Sequence, residues 1–280
     1  MRILAALAFA VALAGCVAPA VLTQVSTSTR LDVSTGRTMV QASLPNGQQS
    51  AFILDTGAQS PVVTQSAVDA MGLEIIGEAL LGSPMGGEPI PAHVVRLDGL
   101  TLGGVAPQMR DAVVVPEGTL PAGAGFGVLA PTQWSDQIVT IDLASNQLSI
   151  GSQPPLPIAA WYPLSERNLT VAEIEVAGER VMAHFDTGNS RGVVLPLRLA
   201  GPLGLEGRLV ATEAIRTVDA ATPAFTASGD VTLKIGTLVL QARDVTFVDR
   251  PMANIGTRAL RGYALVLDNP NHRWGLVGPL

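Results

Sequence analysis

Two aspartates hold the chemistry that can be read in this chain. Asp55 opens the triplet Asp55-Thr56-Gly57, and Asp186 opens Asp186-Thr187-Gly188, 131 residues later. Each ends an apolar run, Ala51-Phe52-Ile53-Leu54 in one case and Met182-Ala183-His184-Phe185 in the other. Two carboxyls held about 3 Å apart cannot both ionise easily, so they share one proton. One can then take a proton from water while the other, protonated, polarises the bond under attack. A glycine at the third position lets the loop backbone come close enough for its N–H groups to reach the carboxylates. A single such triplet is weak, because Asp and Gly favour strand-to-turn junctions for local reasons. Two, at matched places in a repeat, ask for a common cause.

Other reactive side chains are sparse. His93, His184 and His272 lie far apart with no ligand spacing, and Cys16 is the only cysteine. That pattern argues against a metal site and excludes an intrachain disulfide, and no cofactor is implied. The net charge is −6 and Lys234 is the sole lysine, so no basic stripe suggests nucleic acid.

The elements that must carry the aspartates are strands. The 280 residues are 48% hydrophobic, with 29 Gly and 20 Pro, and Val, Ile, Leu and Thr runs outnumber long helical patterns. A mainly β protein is expected. Its two halves echo each other. Pro61-Val62-Val63-Thr64 follows the first triplet and Val193-Val194-Leu195-Pro196 the second. Thr64 is placed to cap a helix over residues 65–71 that stops at Gly72, and a counterpart is expected near 196–203 before Gly204. Leu100-Thr101-Leu102-Gly103 matches Leu233-Lys234-Ile235-Gly236, and Val128-Leu129-Ala130 matches Asn254-Ile255-Gly256. Each half closes on a strand pair turning through Ala144-Ser145-Asn146 or Asn269-Pro270-Asn271. The proline-rich stretch 152–163 reads as a linker between halves spanning 30–151 and 164–280.

The N-terminus reads as a targeting segment. Arg2 precedes an apolar run, Ile3 to Leu13, too short for a permanent membrane helix. Leu13-Ala14-Gly15-Cys16 resembles a bacterial lipobox, which implies removal of residues 1–15 and lipidation of Cys16. The competing reading is an ordinary secretory signal cut near Ala18 or Ala20. Residues 16–29 read as a tether. The lipoprotein reading implies an anchor in the bacterial cell envelope, with Val17 pointing to the outer membrane and the chain facing the periplasm.

The paired triplets, the Ile53-Leu54-Asp55-Thr56-Gly57-Ala58 form and Asn254-Ile255-Gly256 resemble the retropepsin-like aspartic proteases. Both copies lie in one chain, as in the pepsin-like enzymes, over roughly residues 30–280. The resemblance implies two similar β-barrel lobes about a pseudo-twofold axis, with a cleft between them. It implies an endopeptidase with Asp55 and Asp186 as catalytic residues, acting as a monomer on peptides or unfolded protein segments. It further implies that Thr56 and Thr187 exchange hydrogen bonds across the axis and lock the loops. Ile53, Leu54 and Phe185 would keep water from beneath the carboxyls. The flap of that family corresponds to Gly82-Ser83-Pro84-Met85-Gly86-Gly87, with Ala220-Ala221-Thr222-Pro223 as the second half's counterpart; either could equally be a surface turn.

Three positions depart from the family pattern. Asn189 follows the second triplet, where Ala or Ser is usual, and its amide could reach Asp186. His184 could face the same side as Asp186 or be a satisfied buried histidine. Ala130 stands where the family has glycine. These departures keep a second function open: a tethered pseudoprotease that binds peptides or envelope components without turnover. A carboxylate pair could also serve glycoside hydrolysis, but that explains neither the threonines nor the repeat.

Overall fold

A computed structural model of the chain describes residues 27–82, 89–216 and 221–279. The protein is mainly β. In the first half the strands are β1 (Thr27–Arg30), β2 (Met39–Ser43), β3 (Gln49–Leu54) and β4 (Val62–Thr64). Helix α1 (Gln65–Met71) is followed by β5 (Ile75–Leu81), β6 (Ile90–Arg96), β7 (Asp111–Val115) and β8 (Gly127–Leu129). The hairpin β9 (Ile138–Asp142) and β10 (Gln147–Gly151) ends this half. The second half runs through β11 (Trp161–Pro163), β12 (Val171–Val176), β13 (Glu179–Asp186), β14 (Val193–Pro196) and β15 (Val210–Arg216). It continues with β16 (Ala221–Ile235), β17 (Leu238–Val248) and β18 (Ala253–Gly256), and closes on β19 (Ala264–Asp268) and β20 (Arg273–Val277).

Each half builds a seven-stranded sheet with the same permutation: β2-β3-β8-β4-β7-β6-β5 in one and β12-β13-β18-β14-β17-β16-β15 in the other. β3 and β13 end at the aspartates, and each lies parallel to the strand beside it, β8 or β18. In the second lobe β12 also pairs with β16, which curls the sheet towards closure. In the first lobe, among the described residues, the isolated bridge Ser43–Thr101 joins the matching edges.

The remaining strands form one six-stranded sheet, β1-β10-β9-β19-β20-β11, with β9 paired to β19 at its centre. The two lobes therefore share a sheet, and one buried cluster runs through both, from Leu54 and Trp134 to Phe185 and Trp274. This sheet moves two expected boundaries. Residues 27–29, expected in the tether, open β1 and pair with β10. Residues 161–163, expected in the linker, form β11 and pair with β20. Both are short edge strands held by main-chain pairing, and β11 adds the packing of Tyr162 on Trp274 at 5.2 Å between ring centroids.

The expected helix forms where its cap exists. Thr64 accepts the Ala67 N–H, and Gly72 ends α1 with φ +63°. The second lobe has Pro196 at that place, with no side-chain cap, and only a three-residue 3-10 turn, Leu197–Leu199, follows. The targeting segment and Cys16 lie outside the described residues. Gly82 and the arms of the β5–β6 hairpin are described, whereas the tip expected as a flap, residues 83–88, lies outside. Likewise Ala220 lies outside, while Ala221-Thr222-Pro223 begin β16.

Candidate active site

The site is built where β3 and β13 run out of sheet. Leu54 and Phe185, each next to its aspartate, are fully buried, and Phe185 packs on Trp274 at 4.8 Å between ring centroids. The chain then turns, and Asp55 and Asp186 stand half-buried at the junction of the lobes. Their carboxyls are within hydrogen-bonding reach of each other. The glycines are required by this closeness. A Cβ on Gly57 would lie 2.8 Å from Asp55 Oδ1 and 2.9 Å from Asp186 Cγ, and one on Gly188 would run into the Asp55 carboxyl.

The threonines weld the two loops. Thr56 Oγ1 donates to Phe185 O at 2.5 Å, and Thr187 Oγ1 donates to Leu54 O at 2.6 Å. Each hydroxyl also accepts from the other lobe: the Thr56 N–H reaches Thr187 Oγ1 at 3.0 Å, and the Thr187 N–H reaches Thr56 Oγ1 at 3.1 Å. Both threonines are buried, so every bond replaces water that cannot enter. A second ring supports the first. The carbonyl of Thr187 accepts from the Thr38 N–H at 3.1 Å and from Thr257 Oγ1 at 2.8 Å. The carbonyl of Thr56 faces His184 Nε2 at 3.3 Å. A carbonyl can only accept, so that nitrogen carries the proton. His184 is thus a buried, partnered histidine under the loop, 3% exposed.

The two aspartates differ in their donors. Asp55 Oδ1 accepts the Gly57 N–H at 2.6 Å. Asp186 Oδ1 accepts the N–H groups of Gly188 and Asn189, both at 3.0 Å, and its Oδ2 accepts Asn254 Nδ2 at 2.7 Å. The Asn189 side chain does not touch Asp186; its Nδ2 donates to Asn254 Oδ1 at 2.7 Å. Burial, then the Asp186 charge, then the hydrogen bond with Asp186 hold the Asp55 carboxyl well above the usual carboxylate range, against the pull of the Gly57 and Gly188 N–H groups.

One cation overlooks the pair. Arg37, half-buried in the turn before β2, is lowered from the usual guanidinium range by burial and raised by the charges of Asp186 and Asp55. Its guanidinium has no hydrogen-bond or ion-pair partner among the described residues. Sequence reasoning passed over Arg37, Thr38 and the amide of Asn254. Thr38 and Thr170 could have been noticed, since each stands just before an apolar strand at matching places. Arg37 carries no signal, because a lone arginine in a turn looks solvated.

The expected second-lobe strand ends at Gly256, where a Cβ would collide with the carbonyl of Arg191 and lie 2.7 Å from that of Asn189. At Ala130 the first lobe is remodelled: its N–H is taken by Gln133 Oε1 at 3.1 Å, while that of Gly256 goes to Gly192 O at 2.8 Å. A groove of about 850 Å³ lined by Arg30, Asp32, Met39, Leu143 and Arg261 opens elsewhere, and neither aspartate lines it.

Among known proteins, the family model described as Aspartyl protease matches residues 40–126. The match covers β2 to the approach of β8, including the Asp55 triplet, and supports that family for this chain. No curated protein matches the chain. The second triplet lies beyond the matched residues, and its likeness to the first is carried by the common strand order.

Proposed function

We propose that the chain is an aspartic endopeptidase that hydrolyses peptide bonds with water activated between Asp55 and Asp186. The observation that carries this reading is the meeting of two carboxyls, one from each lobe, on loops welded by reciprocal threonine bonds. One carboxyl takes the proton of the attacking water, and the other donates a hydrogen bond to the scissile carbonyl as it becomes an oxyanion. The buried threonine and leucine layer beneath keeps the pair rigid and excludes competing water. The described arms of the β5–β6 and β15–β16 hairpins expose Ile75, Ile76, Leu80 and Val210, apolar surface suited to contact with an extended peptide. A single chain supplies both carboxyls, which suits a monomer. The lipobox-like residues before Cys16 support, as part of the same proposal, a lipid anchor in the bacterial cell envelope, with Val17 favouring the outer membrane and a chain that faces the periplasm.

The test is cleavage of an unfolded protein substrate by the purified chain across the acid-to-neutral range. Asp55→Asn and Asp186→Asn should each lower kcat by about a thousandfold, the scale of losing an acid–base group. A statine-type inhibitor should block the wild type. Turnover that survives in both variants overturns the proposal. Peptide affinity without any turnover in the wild type points to the binding module instead.

A further inference from the structure

The two loops are equivalent in backbone but carry different side chains around the carboxyls. Register places Val128 of β8 opposite Ile53, and Asn254 of β18 opposite His184, so Val128 and Asn254 occupy matching positions. Ala58 and Asn189, each directly after its triplet, match as well. An apolar pair in the first lobe is thus an amide pair in the second.

The amide pair forms a chain of bonds with one direction. The Arg191 N–H donates to Asn189 Oδ1 at 2.8 Å. A backbone N–H can only donate, so the oxygen of Asn189 must face it and its amino group must face Asn254. Asn189 Nδ2 then donates to Asn254 Oδ1 at 2.7 Å, and Asn254 Nδ2 donates to Asp186 Oδ2 at 2.7 Å. The relay ends by delivering a hydrogen to Asp186.

A carboxylate offers about four acceptor sites. Those of Asp186 already hold three donors: two backbone N–H groups on Oδ1 and the Asn254 amide on Oδ2. The fourth remains for a hydroxyl from Asp55. A proton placed on Asp186 would take that fourth site and leave its three donors facing a neutral carboxyl, a weaker acceptor than the carboxylate. Asp55 has the Gly57 N–H and a lesser pull from that of Gly188, with Ala58 and Val128 offering nothing. Of the other charged groups nearby, Arg37 acts on both carboxyls and more on Asp186, which adds to the same preference. His184 is turned to Thr56 O, and the Arg191 guanidinium is turned to Glu213 O at 3.0 Å.

We infer that Asn254, aligned by Asn189, is a positioning residue that keeps the negative charge of the pair on Asp186 and its single proton on Asp55. This rests on the aspartic-protease reading above. Asp186 is then the base: it takes a proton from water as the water oxygen bonds to the scissile carbon. Asp55 gives its proton to the carbonyl oxygen, forming a neutral geminal diol. On collapse the C–N bond breaks, Asp186 passes its proton to the amine nitrogen, and a diol hydroxyl returns a proton to Asp55. The pair ends with the one proton it began with.

The deciding measurement is a carbon-13 NMR titration of the aspartate carboxyls in the wild-type chain, assigned with Asp55→Asn and Asp186→Asn. Coupled titration with Asp186 ionising before Asp55 is expected. In the pH dependence of kcat/KM, Asn254→Ala should move the acidic limb upward by about one unit, the size of losing one hydrogen bond to a charged acceptor, and leave the basic limb in place. Asn189→Ala should move it the same way by less, and it tests the relay even if Asn254→Ala does not fold. Coupled titration in the reverse order, or an acidic limb unmoved by both variants, overturns the inference and leaves the protease reading standing. Two independent titrations in the ordinary carboxyl range would overturn the pair itself, and the inference with it.

Discussion

The two lobes share one strand order yet surround their triplets differently, and the difference lies in side chains that no backbone rule demands. The first loop is apolar around its aspartate, with Ala58 and Val128, and its closing position, Ala130, is tied down by a glutamine side chain. The second loop is polar, with Asn189 and Asn254 bonded in series, and its closing position, Gly256, is crowded by the carbonyls of Asn189 and Arg191. The lesson is that a duplicated scaffold need not hold its two carboxyls alike. Matching strand orders bring the aspartates together, and unlike neighbours then give them unlike hydrogen-bond donors.

Breaking the comparison at its tightest point should have the largest effect. Gly256→Ala puts a Cβ into the Arg191 carbonyl and should destabilise the chain by about 3 kcal/mol, as overpacking of a closed site does. The matching exchange in the other lobe, Ala130→Gly, should cost only about 1 kcal/mol from added backbone freedom. Urea unfolding of both variants checks the contrast, and equal costs would contradict it.

The threonine weld offers a finer test. Phe185 O receives Thr56 Oγ1 and also Thr170 Oγ1 at 2.6 Å, so it keeps a hydroxyl donor if Thr56 is truncated. Leu54 O has no such reserve, because Thr38, which matches Thr170, directs its hydroxyl to Thr257 at 3.2 Å. Thr56→Ala should therefore cost about 1–2 kcal/mol, and Thr187→Ala about 1 kcal/mol more. Denaturation midpoints of the pair settle the order.

The smallest expected effect is in the pH dependence of stability. Asp55 binds its proton more tightly in the folded chain than in the unfolded one. Its contribution is therefore complete below the ordinary value of 3.8 and is lost as pH rises through the raised folded value. Asp55→Asn has no such loss. The melting temperature of that variant relative to the wild type should climb steadily from acid to neutral pH, and a constant difference would speak against a raised Asp55.

Much of the frame was legible because it depends on local pattern. The apolar runs before Asp55 and Asp186 became β3 and β13, and Thr64 with Gly72 bracketed α1 as caps do. The edges were not legible. Thr27–Arg30 carries no apolar pattern and is a strand because β10 offers it unpaired backbone, while Trp161–Pro163 is too short and too close to the proline-rich stretch for its two aromatics to announce a strand before β20 pairs with it. The helix expected after Pro196 stops at a 3-10 turn, because Pro196 supplies no side-chain cap and Gly201-Pro202 interrupt the run. In the site, the roles of Thr38, Thr257 and Arg37 each depend on a partner in the other lobe, and no spacing rule reaches that far.

By itself the sequence determined that two Asp-Thr-Gly turns exist, that each ends a buried strand, and that each needs glycine at its third position. These follow from composition and periodicity, which act over a few residues. Only the tertiary structure decided that the two carboxyls come within hydrogen-bonding reach, that Thr56 and Thr187 bond reciprocally, and that the side-chain amide of Asn254 rather than that of Asn189 bonds Asp186. Those outcomes depend on contacts of 2.7 to 3.1 Å between segments far apart in the chain, which are set when the two lobes pack on their common sheet.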